Sequence, residues 1–240
     1  MTQREDLLAR TMVDLADSLV DDFDVVDLLT ILTDRCIELL GVSASGIVLR
    51  DPTGALRVML SSSDAMHLLE LFELQAAEGP CLECVHDGRS LVNVVLAAAG
   101  DRWPRFAPLA SEAGFRTVHA FPMRLRGEVI GALNLFSVDD GVLSDADARM
   151  AQALTDVATI SILQHRIASE AQTLNAQLNH ALQSRIRIEQ VKGMVAEQGG
   201  LAMDRAFDLL RDHARSHNRR LVEVAEAVIA GTATAASLGR

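Results

Sequence analysis

Lysine, tyrosine and cysteine are scarce in this 240-residue chain, and each scarcity excludes something. Of the 22 basic residues only Lys192 is a lysine. With seven Phe, one Trp and no Tyr, the core must be built mainly from Leu, Val, Ile, Ala and Met. Three cysteines (Cys36, Cys81 and Cys84) do not make a disulfide framework. No run of 18 uncharged apolar residues occurs, and the N-terminus lacks the basic-then-apolar plan of a signal peptide. The expectation is a cytoplasmic protein with no membrane contact. No nucleophile–base pairing, Gly-rich phosphate loop or paired-carboxylate motif can be discerned, so the chain does not read as an enzyme. The aspartates between 14 and 34 read as a solvated helix face.

What is present is unevenly distributed. Residues 1–179 carry 13 Arg against 26 Asp and Glu, whereas 180–231 carry 8 basic and 7 acidic residues with His180, His213 and His217. An acidic body followed by a slightly basic end suggests two modules with different partners. A charge of about +1 is nevertheless far from the strongly basic footprint of most nucleic-acid binders.

Hydrophobic spacing divides the chain further. Leu7, Leu8, Met12, Leu15 and Leu19 recur at helical spacing, as do Val25, Leu28, Leu29, Leu32, Cys36 and Leu39. β-like runs at 44–50 and 56–62 flank Asp51-Pro52-Thr53-Gly54, which has turn chemistry. The pattern then predicts a helix over 65–77, a short helix and a strand between 79 and 100, and a helix over 103–113. Strands follow at 117–125 and 129–136, joined by Arg126-Gly127-Glu128. From Ser144 to Gln198 there is no Pro, and Gly193 is the one Gly, so a single long helix is predicted. Ile160, Gln164, Ile167, Ala171, Leu174, Leu178 and Ala181 alternate by four and three, a heptad seam that predicts a parallel dimeric coiled coil. After Gly199-Gly200 come two helices over 203–216 and 220–230.

The stretch from Leu182 to Gly231 resembles an ANTAR domain, an RNA-binding module of transcription antitermination regulators. The resemblance is carried by Arg185, Ile188-Glu189-Gln190-Val191-Lys192-Gly193, Ala206-Phe207, Leu209-Leu210-Arg211, Ala214, Asn218-Arg219-Arg220-Leu221 and Val224-Ala225. The family more often has Ala where this chain has Val191. Residues 5–160 resemble a GAF domain, a PAS-like α/β sensory fold with an antiparallel sheet. Here the carrying residues are Glu78-Gly79-Pro80-Cys81-Leu82-Glu83, Asp101-Arg102-Trp103-Pro104-Arg105-Phe106, Gly114, Pro122-Met123, Gly131-Ala132-Leu133-Asn134-Leu135-Phe136 and Ser144-Asp145-Ala146-Asp147. The resemblance is to the GAF type that precedes ANTAR modules in actinobacterial regulators. It implies a sensory domain at 5–160, a coiled-coil linker helix at 161–181 and a three-helix all-α RNA-binding module at 182–231, while the small, polar residues at 232–240 predict a disordered tail.

The implied function is a homodimer that binds paired RNA hairpins with hexanucleotide loops, under control of a small molecule or redox state sensed by the GAF domain. The resemblance does not name that ligand or any cofactor. Candidate RNA contacts are Arg185, Lys192, Arg211, Arg215, Arg219 and Arg220, since Lys and Arg contact phosphates or stack on loop bases. Arg185 and Lys192 lie two helical turns apart, and Arg211 and Arg215 are an i, i+4 pair. Phe207 reads as core rather than as a stacking platform. Gly193 costs about 1 kcal/mol in a helix relative to Ala, which suggests close approach of another helix or of RNA.

Cys81-Leu82-Glu83-Cys84 leaves three readings open. It is structural filler, or a redox pair whose thiol pKa is lowered at a helix start, or part of a metal site needing Cys36 or water. His67, His86 and His119 are haem-ligand candidates only in principle. The competing function is a ligand- or redox-sensing regulator that acts through protein partners, its C-terminal module serving dimerisation.

Overall fold

Alternating small and branched residues at 44–50, 117–125 and 128–137 make the centre of one antiparallel sheet. The computed structural model describes residues 2–17, 24–139 and 141–238, without side-chain detail at 170, 172–173 and 175–181. The strands are β1 (Ala44–Arg50), β2 (Leu56–Ser61), β3 (Leu91–Val95), β4 (Thr117–Leu125) and β5 (Glu128–Ser137), in the order β2-β1-β5-β4-β3. Asp51 closes the first hairpin by accepting the Thr53 and Ala55 N–H groups at 2.8 and 3.1 Å. Arg126 and Gly127 close the β4–β5 hairpin with φ of 50° and 93°, the left-handed pair a two-residue hairpin requires.

Successive strand residues face opposite sides, so the sheet has two distinct faces. One carries Ile47, Leu49, Phe121, Met123, Leu133 and Leu135, packed against α1 (Gln3–Asp17), α2 (Val25–Leu40) and the first turns of α6 (Asp145–Gly199). Leu19 of the first helical pattern lies outside the described residues. The other face carries Gly46, Val48, Ala120, Ala132, Asn134 and Phe136 beneath α3 (Asp64–Ala76), α4 (Pro80–Asp87) and α5 (Phe106–Glu112). Asp24 caps α2 and Ser63 caps α3 through bonds to Val26 N and Met66 N at 2.8 and 3.2 Å. The Gly-Pro-Cys and Trp-Pro-Arg-Phe segments hold each other. Glu78 accepts the Arg105 and Phe106 N–H groups at 2.7 and 2.9 Å, and Glu83 binds both the Arg102 guanidinium and Trp103 Nε1.

The chain divides into two compact units, Met1–Ile167 and Ala168–Arg240. In the second, Val191 and Val195 of α6 share a core with Ala206, Leu210 and Ala214 of α7 (Met203–Ser216) and Val224, Ala225 and Val228 of α8 (Leu221–Ile229). Leu238 of α9 (Ala235–Leu238) joins that core, so the expected disordered tail differs from the structure at 235–238. A buried leucine outweighs the small polar residues around it. The helix predicted from Ser144 is α6, starting one residue later. Of the heptad seam, Gln164, Ile167, Ala171 and Leu174 are exposed, and the Leu178 and Ala181 side chains lie outside the described residues.

Candidate functional site

Lys192 on α6 is half-buried where that helix meets α7. Its Nζ stands 5.9 Å from the Phe207 ring centroid and 3.1 Å from Glu189 Oε2. Phe207 is half-buried and is not among the residues that form the core of the unit, so it differs from the expected core role. This contact joins the basic stripe of α6 to that of α7, where Phe207, Arg211 and Arg215 follow at four-residue spacing. Arg185 and Arg215 are exposed and make no ion pair among the described residues. Arg211 pairs with Asp208 at 3.0 Å and Arg220 with Glu223 at 2.6 Å, while Arg219 donates to the Glu223 carbonyl at 3.3 Å. The last two sit between α7 and α8. Arg187, paired with Glu226 at 2.6 Å, and exposed Arg205 are further cations of this unit.

A Cβ built on Gly193 meets nothing within 4 Å. The close helix approach suggested by the sequence is therefore absent among the described residues, and the face above Gly193 is open.

The second cluster lies inside the first unit, and sequence reasoning missed it. Met66, Leu69, Glu70 and Glu73 form the buried stripe of α3, with both glutamates 1% exposed. Two acids on an apolar stripe at i, i+3, i+4, i+7 spacing were the available signal. Glu70 accepts the Ser61 hydroxyl at 2.5 Å and Asn134 Nδ2 at 3.3 Å. Glu73 Oε1 accepts the Cys81 and Leu82 N–H groups at 2.5 and 3.2 Å, occupying the start of α4. Both Gly46 and Gly79 lie where a Cβ would overlap these carboxylates. Burial raises the Glu70 carboxyl to about 7 and holds Glu73 well above its ordinary value, with the Glu70 charge adding to the latter.

This cluster reverses the argument for a redox pair. The α4 N-terminus does not stabilise a thiolate, because Glu73 takes its N–H groups. Cys81 and Cys84 are buried with Val48, Val85, Ala120 and Ala132, and burial and then the Glu73 charge push both thiols up, Cys84 to about 12. The filler reading is the one the geometry supports. Cys36 is buried on the other face of the sheet, and among the described residues no group of three His, Cys, Asp or Glu side chains is placed to hold a metal. His119 is fully buried there too; its Nδ1 accepts Asn93 N–H at 2.9 Å, and burial lowers its pKa to about 4. Asn93 in turn bonds Leu143 N and O, fixing the approach to α6. No helix of the described residues is long and apolar enough to cross a membrane.

Two family models match: a GAF domain over 24–163 and an ANTAR domain over 176–229. Similar solved structures include the GAF domain of an Acinetobacter phosphoenolpyruvate-protein phosphotransferase, at 17% identity and a TM-score of 0.54 over 70% of this chain and 97% of that one. The corresponding GAF domain from Coxiella burnetii aligns at 13% identity and a TM-score of 0.54, over 68% and 96%. The free methionine-R-sulfoxide reductase of Neisseria meningitidis, in complex with its substrate, gives 18%, 0.52, 70% and 95%. At these identities the likeness shows the fold alone. No curated protein matches the chain.

Proposed function

This chain belongs to the GAF domain family and carries an ANTAR domain, the composition of a signal-responsive regulator, and from that premise we propose that it is an RNA-binding transcription antiterminator. The observation that carries this reading is the Lys192–Phe207 contact, which sets an ammonium and an aromatic face beside the arginine stripe of α7. Arg185, Lys192, Arg211 and Arg215 then meet the phosphates and splayed bases of a hairpin loop, with Arg219 and Arg220 on the flanking turn. An incoming phosphate replaces Glu189 at Lys192. The exposed Ile167 (60%) and Leu174 (57%) on α6 support pairing with a second copy, which doubles the surface for two hairpins.

The test is binding to an RNA with two hexanucleotide-loop hairpins across a salt series. Lys192→Ala is expected to weaken binding to all such sequences and lower the salt slope by about one. Wild-type protein with no affinity for such RNA overturns the reading, and leaves regulation through protein partners in its place.

A further inference from the structure

His213 lies in the last turn of α7, and His217 caps that helix. Their rings stack, with centroids 4.0 Å apart and planes inclined by 24°. His213 is half-buried and His217 exposed, so the pair is open to solvent. Spacing of i, i+4 on a helix is that of zinc-binding histidine pairs, in which two imidazoles reach one ion from the same face.

The hydrogen bonds decide which ring nitrogens are free. The His213 carbonyl can only accept, so His217 Nδ1, 3.0 Å away, donates to it. Ser216 Oγ stands 3.0 Å from the same nitrogen and donates to the same carbonyl at 3.1 Å. With its proton on Nδ1, the neutral His217 ring carries its lone pair on Nε2. A backbone carbonyl that holds the other N–H is the arrangement that orients metal-binding histidines. His213 Nδ1 is enclosed and has no hydrogen-bond partner, so Nε2 is the nitrogen that ring has left to bind with. Among the described residues no hydrogen bond reaches the Nε2 atom of either ring.

We propose that His213 and His217 bind a divalent transition-metal ion of the Zn²⁺ class through their Nε2 atoms. Imidazole nitrogen suits zinc, nickel and copper, whereas magnesium and calcium take oxygen ligands. Among the described residues no three His, Cys, Asp or Glu side chains converge, so the chain supplies two ligands and water completes the shell. The position suits a cation, because the carbonyls that end α7 carry the negative end of the helix dipole. An ion held by both rings ties down the last turn of α7. The chain leaves that turn through Asn218, with φ of 50°, and Arg219, whose N–H bonds the Ala214 carbonyl at 2.8 Å. Metal binding therefore braces the segment from which Arg219 and Arg220 emerge.

The experiment is calorimetric titration of the full chain, without RNA, using zinc chloride and nickel chloride with magnesium chloride as control. About one zinc or nickel ion per chain is expected to bind saturably, and magnesium is not. His213→Ala and His217→Ala are each expected to weaken binding by at least about tenfold while still unfolding cooperatively. His86→Ala, which removes an exposed histidine of the first unit, is expected to leave binding unchanged. A second measurement needs no variant. Paramagnetic Ni²⁺ is expected to broaden the ring proton signals of His213 and His217 at lower ion ratios than those of the other histidines. Zinc binding that survives both variants, broadening that spares these two rings, or equal binding of magnesium overturns the proposal. Absence of saturable zinc or nickel binding also overturns it and leaves the pair as a stacked end to α7. RNA affinity is read separately, so none of these outcomes counts against antitermination.

Discussion

The two compact units treat charge in opposite ways. The first has an acidic surface yet encloses two glutamates, without ion-pair partners among the described residues, over glycines that leave them room. The second keeps its arginines exposed, either bare, matched to an acid three residues away or, for Arg187, paired with Glu226 on α8. Enclosed charge couples ionisation to stability, because the folded state alone feels the burial. Exposed charge is screened and hydrated, contributes little to folding, and stays free to meet a charged partner. The difference separates a unit suited to sensing from one suited to contact.

The largest effect expected of this contrast is at Glu70. Its folded pKa, about 7, lies above the ordinary 4.5, so the folded state holds the proton more tightly. The associated stability is fully present below pH 4.5 and is lost as pH rises through 7. Glu70→Gln is therefore expected to gain up to about 3 kcal/mol over wild type between pH 5 and pH 8, measured by urea unfolding. A difference that stays constant with pH would place that carboxylate in water and remove the contrast.

His119, on the opposite face of the sheet, gives an effect of opposite sign and similar size. Its folded pKa of about 4 lies below 6.5, so stability is lost as pH falls from 6.5 towards 4. His119→Gln is expected to abolish up to about 3 kcal/mol of that acid loss. An unchanged acid limb would assign the loss to carboxylates alone.

The sequence made the outline of the fold legible because period-2 runs and three-and-four helical spacing report which face is buried. The β4–β5 hairpin was legible in Arg126-Gly127, and α7 in its apolar spacing. Two local signals misled. Cys81 at a helix start suggested a lowered thiol pKa, but the N–H groups that would lower it are taken by Glu73, eight residues earlier in the chain. The small residues after 231 suggested disorder, but Leu238 reaches the core of its unit. The two acids on the apolar stripe of α3 were a local signal, but their partners were not: Glu70 and Asn134 meet only after β5 is laid beside β1. Such contacts depend on pairing across 64 residues, which no local pattern encodes.

Smaller effects test the second unit. Gly193→Ala is expected to stabilise α6 by about 1 kcal/mol in chemical unfolding, since its Cβ enters open space. If RNA lies across that face, the same substitution weakens RNA binding while strengthening the fold. Parallel gains in both measurements would move the RNA elsewhere.

Lys192→Ala is expected to change stability least, by a few tenths of a kcal/mol. Its ion pair with Glu189 is an i, i+3 pair with the glutamate more than half exposed, and the Phe207 ring contact at 5.9 Å is at the edge of useful range. Loss of RNA affinity at nearly unchanged unfolding midpoint would mark Lys192 as a contact. A loss of about 2 kcal/mol or more, far above the roughly 0.5 kcal/mol of such a pair, would mean that the lysine holds α6 to α7. The contrast between the units would then fail at Lys192, because a half-buried cation of the second unit would be acting as part of its core.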